Sequence, residues 1–350
     1  MTFRGLVRFA VVAFVLAGAG TVRAESASSD PRVAALAREV RHKGWLVYGA
    51  RSENGSWDLF MSRPDGSQRR NITNTPHFEE AAPRFSPDST KLLYRRLAKW
   101  ARIDHDKWGF QGCLVIADAN GANPLVFGEE GAYPWASWSP DGQRIVCLTK
   151  KGIRVVDMAA KEVVREFPRQ GIYQQLFWSP DGKWFCGVAN HQGESWTVVR
   201  LSAETGQINP VRSFQNCTPD WFPDSKRIVM SSRPANQPGA RGYGYTQLWM
   251  ADGNGGNQRL IYGEDGSHIY GGALSPEGRY VLFTKGPKDG SGSEKAGAPM
   301  GILRLADAPT ITGASPDLRK RHPDTKDGPV LMLETAWEPC WTYAEIGPAQ

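Results

Sequence analysis

The sequence contains few stretches with helical periodicity, which excludes a helical bundle or a doubly wound α/β sheet as the main architecture. No cysteines stand in a CxxC pair, so a zinc site is not expected. The Gly-x-Ser-x-Gly signature of serine hydrolases is also missing. Positive charge is only slightly in excess, with 42 Lys and Arg against 36 Asp and Glu. Nucleic acid is therefore not an expected partner.

Long apolar runs are missing after residue 24, but the N-terminal segment contains one. Two arginines precede an apolar run over residues 9–19, and Val22 and Ala24 are small residues at the positions that a signal peptidase recognises. We predict a cleavable signal peptide over residues 1–24, with a retained N-terminal anchor as the alternative. The mature protein is then expected to be periplasmic or secreted, to have no membrane span, and to be a monomer.

Five cysteines are spread through the rest of the chain. Their number is odd and most lie in predicted strands, so we interpret them mainly as small buried apolar residues. Because an exported protein can hold disulfides, one disulfide is allowed. The five are Cys113, Cys147, Cys186, Cys217 and Cys340.

A short repeat is the strongest pattern in the sequence. Two copies read Trp-Ser-Pro-Asp-Gly and begin at Trp138 and Trp178, and weaker copies begin at Phe85, Trp221 and Leu274. Ser, Pro and Gly suit the first, second and last positions of a type I turn. The residue before the turn is expected to end one strand facing the core, and the apolar run after it to begin the next. Each copy therefore predicts a β-hairpin.

The spacing of these hairpins predicts a β-propeller. Each is followed by a second hairpin, for example at Asn120-Gly121, and four strands per repeat make one blade. The opening unit, over residues 45–74, lacks its first strand, whereas residues 339–342 match the first strands of other units. We predict an all-β, six-bladed β-propeller over residues 45–343, with ring closure by the C-terminal strand.

The repeats resemble the PD40 (WD40-like) blades of the TolB-like propeller family, and the resemblance covers residues 45–343. Met61 to Gly66 and Met250 to Gly253 are similar to the family's third strand and its turn. The resemblance implies a cell-envelope propeller built for binding rather than catalysis. TolB carries a separate α/β domain before its propeller, but residues 25–44 leave room only for a short segment with one helix. Residues 344–350 form a tail.

The predicted strand order sorts the loops onto two faces of the disc. The Pro-Asp-Gly turns and short hairpins lie on one face. The loops between second and third strands and between blades lie on the other, which we call the loop face. Three long insertions, over residues 97–112, 233–246 and 286–300, all fall on the loop face. Long loops on a rigid scaffold usually carry binding residues, although packing of the insertions is the alternative role.

We accordingly predict a binding site on the loop face. Its candidate residues are aromatic, charged or histidine side chains of these loops: His77, Glu79, Trp100, Arg102, Asp104, His105, Trp108, Tyr133, Arg241, Tyr243, Tyr245, His268 and Tyr270. The expected partner is an envelope protein, peptide or glycan ligand.

Catalytic chemistry is weakly indicated. No catalytic residue, cofactor or metal ligand is assigned, and the alternative function is a lyase or hydrolase using loop-face carboxylates and histidines. The segment that begins at Asp104 is similar to a calcium loop, but Val115 stands where the closing Glu should be. Three histidines, His77, His105 and His268, would form a metal site only if they converge near the axis.

Overall fold

The chain is described by a computed structural model. It describes residues 30–103, 111–133, 135–174, 176–213, 216–232, 246–264, 266–287, 297–308, 311–312 and 328–348. The predicted signal peptide lies outside these residues. No helix in the described part of the chain is long and apolar enough to cross a membrane.

One α-helix precedes the strands. Helix α1 (Pro31–Val40) begins after Asp30, whose carboxylate accepts a hydrogen bond from the Arg32 main-chain N–H at 2.8 Å, and proline occupies its first turn. The helix ends at Val40. Leu36 and Val40 are buried in a cluster that also contains residues from both ends of the strand region.

The remaining secondary structure is almost entirely strand, apart from one 3₁₀ turn (Leu305–Asp307). In chain order the strands are β1 (Trp45–Arg51), β2 (Trp57–Ser62), β3 (Arg70–Asn71), β4 (Phe78–Phe85), β5 (Lys91–Ala98), β6 (Cys113–Asp118), β7 (Leu125–Phe127), β8 (Trp135–Trp138), β9 (Arg144–Leu148), β10 (Ile153–Asp157), β11 (Glu162–Phe167), β12 (Phe177–Trp178), β13 (Trp184–His191), β14 (Glu194–Ser202), β15 (Ile208–Arg212), β16 (Asn216–Trp221), β17 (Arg227–Ser232), β18 (Gln247–Asp252), β19 (Arg259–Tyr262), β20 (Ser267–Leu274), β21 (Tyr280–Pro287), β22 (Ala298–Arg304), β23 (Ile311–Thr312) and β24 (Val330–Thr342).

These strands form antiparallel sheets in the order expected of propeller blades. Three sheets have four strands each: β4-β5-β6-β7, β8-β9-β10-β11 and β12-β13-β14-β15. A fourth has the order β16-β17-β18-β19-β23, and a fifth has seven strands, β20-β21-β22-β24-β1-β2-β3. The prediction of an all-β propeller closed by the C-terminal strand is confirmed.

The seven-stranded sheet joins the two ends of the chain through β24. Its first half pairs with β22, from Val330 opposite Leu303 to Ala336 opposite Ala298. Its second half, residues 337–342, pairs with β1, and Trp341 lies opposite Leu46. Since β24 serves as the last strand of one unit and the first of another, we infer six blades. We number them in chain order, blade 1 being residues 337–342 with β1, β2 and β3.

Ser and Asp side chains brace the repeated turns. At the second strong copy, Ser179 Oγ donates to Asp181 Oδ1 at 2.7 Å and accepts from the Trp184 N–H at 2.9 Å. The Gly182 N–H closes the turn on the Ser179 carbonyl at 2.9 Å, and Gly182 has a φ of +75°. This geometry suits glycine and explains why the motif ends on it.

Two of the aromatic residues before the turns link neighbouring blades. Trp138 Nε1 of blade 3 donates to the Arg84 carbonyl of blade 2 at 3.2 Å. Trp221 Nε1 of blade 5 donates to the Phe177 carbonyl of blade 4, also at 3.2 Å. Each ring therefore buries apolar surface and satisfies its indole N–H at the same contact.

All five cysteines lie in the described residues, and none is paired. Cys147, Cys186 and Cys217 are buried, whereas Cys113 and Cys340 are half-buried. Their interpretation as mainly buried apolar residues is confirmed, and the disulfide that the sequence allowed is not formed.

Truncation after Thr335 is predicted to destroy the ring closure. It removes Trp337 and Trp341, which are 2 % and 5 % exposed, and it leaves β1 without its inner partner. Losing one buried tryptophan costs roughly 3–5 kcal/mol, so losing both approaches the whole stability of a typical domain. We expect the truncated protein to unfold or aggregate, as measured by circular dichroism and thermal melting. A control truncation after Gly347 should melt like the full chain, and an unchanged melting temperature after the first truncation would contradict the closure.

Candidate functional site

The predicted binding residues fall in several places. Six lie outside the described residues: Asp104, His105, Trp108, Arg241, Tyr243 and Tyr245. Of the rest, Glu79, Trp100 and Arg102 come together at the loop-face end of blade 2, beside a cleft. His268 and Tyr270 lie together in blade 6, and Tyr133 is separate from both groups.

Glu79 holds the start of the first long insertion. Its side chain is almost completely buried, and Oε1 accepts from the Trp100 N–H at 2.9 Å. Oε2 accepts from the Trp57 N–H at 2.6 Å and lies 3.7 Å from Arg51 Nη1. The carboxylate therefore fixes the main chain of the insertion relative to blade 1.

Trp100 is held in an exposed position. Its side chain is 74 % exposed, whereas the other described tryptophans are buried or half-buried. The residue has a φ of +68°, which is uncommon for a bulky residue. Lys99 Nζ lies 5.1 Å from the Trp100 ring centroid and donates to the Pro76 carbonyl at 2.6 Å. These contacts present the indole to solvent on a restrained backbone.

A cleft of about 240 Å³ lies beside Trp100. We call it the blade 2 cleft, and its lining is Arg51, Trp57, Glu79, Trp100, Ala101, Arg102 and Ile103. The Arg51 guanidinium lies 4.8 Å from the Trp57 ring centroid, and Ile103, within the insertion, is buried. Cationic side chains therefore surround an aromatic surface in this cleft.

Arg51 and Trp57 were not among the predicted site residues. They flank the short loop between β1 and β2, which lies on the loop face although it contains no insertion. The length of the loop gave no reason to select them. The predicted strand order, however, already placed this loop on the loop face.

His268 and Tyr270 are buried rather than exposed on the loop face. His268 Nδ1 lies 2.7 Å from Thr246 Oγ1, and its ring centroid lies 5.3 Å from that of Tyr270. Tyr270 stacks on Trp337 at 5.5 Å. Tyr133 is half-buried and packs on Phe127 at 5.7 Å. For these residues packing is the role that the contacts show.

His77 is exposed and His268 is buried, while His105 lies outside the described residues. Within the described part of the chain, no group of three or more His, Cys, Asp or Glu side chains is arranged to hold a metal ion.

A buried carboxylate, that of Glu80, lies next to the cleft residue Glu79. Thr75 Oγ1 donates to Glu80 Oε1 at 2.5 Å, and Arg96 Nε lies 3.4 Å from the same oxygen. Burial outweighs these contacts and raises the pKa of Glu80 from 4.5 to about 7.

Glu80 is predicted to make stability depend on pH. The folded protein binds the proton of the Glu80 carboxyl more tightly than the unfolded chain does. Protonation of Glu80 therefore stabilises the fold fully below pH 4.5, and this stabilisation is lost as the pH rises through about 7. Across that range we expect the Glu80→Gln variant to lose less free energy of unfolding than the wild type, by roughly 1–3 kcal/mol. Urea denaturation at several pH values measures the difference. Parallel pH profiles for the two proteins would show that Glu80 has an ordinary pKa.

Comparison with known proteins establishes the fold. No protein-family model matches the chain, and no curated protein matches it either. The chain is similar to the crystal structure of TolB from Acinetobacter baumannii, with a TM-score of 0.59 and 18% identity over 86% of this chain and 67% of that chain. It is similar to a putative TolB from Agrobacterium tumefaciens, with a TM-score of 0.52 and 18% identity over 77% and 87% of the two chains. A chain of a nidogen/laminin complex matches with a TM-score of 0.55 and 9% identity over 85% and 98%. The chain thus has a TolB-like propeller fold.

Proposed function

We propose that this protein is an exported binding propeller of the cell envelope. In this proposal the segment over residues 1–24 directs export, and the loop face recognises a protein, peptide or glycan. The blade 2 cleft is the anchor of that surface. The proposal assigns no chemical reaction to the protein.

The exposure of Trp100 is the observation that carries the proposal. Its indole is 74 % exposed although the backbone around it is restrained by Glu79. Holding so much aromatic surface in water has no benefit for the folded monomer. Tryptophan is enriched among the few residues that dominate binding energies at interfaces, so a partner that covers Trp100 is the simplest reason for its position.

The surroundings of Trp100 indicate the chemistry of the partner. Arg51 and Arg102 line the same cleft, and the Lys99 ammonium lies close to the indole ring. Phe78 adds a second exposed aromatic side chain, 40 % exposed, at the start of β4. This combination suits a ligand with an apolar or ring-shaped face bordered by carboxylate or hydroxyl groups.

The substitution Trp100→Ala tests this surface. We expect the variant to fold normally because the side chain is exposed, and its affinity for the partner to fall by roughly 2 kcal/mol, about thirtyfold in Kd. Immobilised wild-type and variant proteins are incubated with an extract of the native cell envelope. Retained components are quantified by mass spectrometry, and the Kd of each is then measured with purified material.

Two control variants make the result specific. Leu125→Ala removes another exposed apolar side chain, 62 % exposed, from the outer strand of blade 2. Asp141→Ala alters a turn on the opposite face, where it should reduce stability more than binding. Partners lost only with Trp100→Ala support the proposal. Equal retention by all variants, or loss confined to Asp141→Ala, would place binding elsewhere.

A further inference from the structure

A cavity that is open to solvent lies where the first strands of five blades meet. Its volume is about 240 Å³, and it is separate from the blade 2 cleft. The residues used below are part of its lining: Arg84 (blade 2), Phe177 (blade 4), Asp220 (blade 5), Tyr270 (blade 6), Trp337 and Cys340 (blade 1). The innermost strands around the axis of the ring therefore line the cavity.

A repeated β-bulge shapes this cavity. Strands β4, β16, β20 and β24 each contain one extra residue relative to the neighbouring strand. In every case a residue within the irregular stretch has a positive φ: Ala82 (54°), Thr218 (48°), Gly271 (73°) and Glu338 (51°). A bulge bends a strand and re-aims its side chains, and such features cluster at functional sites. Because four equivalent bulges surround one axis, the cavity is a regular feature of the fold rather than a packing defect.

Arg84 reaches from blade 2 towards other blades across the cavity. Its Nη1 donates to the Glu338 carbonyl at 3.3 Å and to the Pro83 carbonyl at 2.7 Å, and its guanidinium lies 5.0 Å from the Phe177 ring centroid. Within the described residues these are its contacts, and no carboxylate forms an ion pair with it. Two of its nitrogens, Nε and Nη2, have no described partner.

Asp220 supplies the opposite charge from the opposite side of the ring. Its carboxylate accepts from the Trp221 N–H at 2.8 Å, and within the described residues no cationic side chain lies within ion-pair distance. Burial raises the pKa of Asp220 to about 6, against the lowering effect of Arg84.

Arg84 and Asp220 are half-buried side chains of opposite charge in the lining of one cavity, which also includes Glu338. Electrostatic complementarity favours a ligand that carries both signs of charge. Arg84 and Asp220 do not compensate each other by contact, although both line the same space. A small molecule with one negative and one positive end would satisfy both groups at once.

The geometry points to a small zwitterion of the α-amino-acid class as the ligand of this cavity, and we propose this as a second binding site. The ligand carboxylate accepts hydrogen bonds from the Arg84 guanidinium, and its ammonium donates to the Asp220 carboxylate. An apolar side chain packs against Phe177, Tyr270 and Trp337. The volume is below the roughly 300–1,000 Å³ of sites for drug-sized ligands, which suits a molecule of this size. The site is independent of the proposed loop-face function.

Ligand analogues test the proposal on the wild-type protein. Binding of L-phenylalanine and L-leucine is measured by isothermal titration calorimetry and by the rise in melting temperature. The comparison ligands are 3-phenylpropionate, which lacks the ammonium, and 2-phenylethylamine, which lacks the carboxylate. We expect at least one amino acid to bind. Compared with L-phenylalanine, 3-phenylpropionate and 2-phenylethylamine should each bind roughly ten- to a hundredfold more weakly, as expected for the loss of a hydrogen bond to a charged group.

Variants assign the two ends of the ligand. Arg84→Gln should weaken amino-acid binding while leaving the binding of 2-phenylethylamine nearly unchanged. Asp220→Asn should also weaken amino-acid binding while leaving the binding of 3-phenylpropionate nearly unchanged. Arg154→Gln, which breaks the surface pair with Glu166, is the matched control and should bind like the wild type. If neither L-phenylalanine nor L-leucine binds at millimolar concentration, the proposal is wrong. Equal binding of the amine and the amino acid would also overturn it, because Arg84 would then contribute nothing.

Discussion

The pairing of β24 with two neighbours is the constraint on which the rest of the structure depends. A propeller blade cannot bury both of its faces unless the ring is complete, and the single strand Val330–Thr342 completes it. The covalent continuity of β24 makes the first and last blades one sheet. Helix α1 and the turn after it reinforce this junction. Glu39 in the helix contacts Tyr280 and Arg304, and the Lys43 carbonyl in the turn accepts from Trp341 Nε1 at 2.7 Å.

Ring closure also determines where binding chemistry can lie. Once the blades are fixed, strand ends on one face carry the insertions, and innermost strands surround the axis. The blade 2 cleft lies among these strand ends, where Glu79 ties an insertion to blade 1. The cavity lined by Arg84 and Asp220 lies among the innermost strands, where bulges in four of them open space between opposite blades. Both are local departures from regular strands on a scaffold that the regular repeats make rigid.

The fold was predictable because its signals are local and repeated. The Ser-Pro-Asp-Gly turns satisfy their own hydrogen bonds within five residues, as Ser179 and Asp181 show, so each copy is recognisable without its partners. Closure was predictable for a related reason. Residues 339–342 resemble the first strands of the complete blades, and the opening unit is the one that lacks a first strand.

The candidate site was less predictable because its contacts join distant residues. Sequence spacing does not show that the Glu79 carboxylate binds the N–H groups of Trp57 and Trp100, or that Tyr270 stacks on Trp337. Arg84 and Asp220 stand inside strand motifs, where they are indistinguishable from surface charges until the ring brings opposite blades together. Side-chain type was enough to name candidate residues on the loop face, but their burial and partners depend on closure.

Native-state hydrogen exchange of β24 tests the closure most directly. If the strand locks the ring, amides in both of its halves should exchange only through global unfolding, with the same free energy as amides of β4 and β16. Slow exchange in residues 331–336 with fast, local exchange in residues 337–342 would contradict the account. It would show that blade 1 opens independently of the other blades.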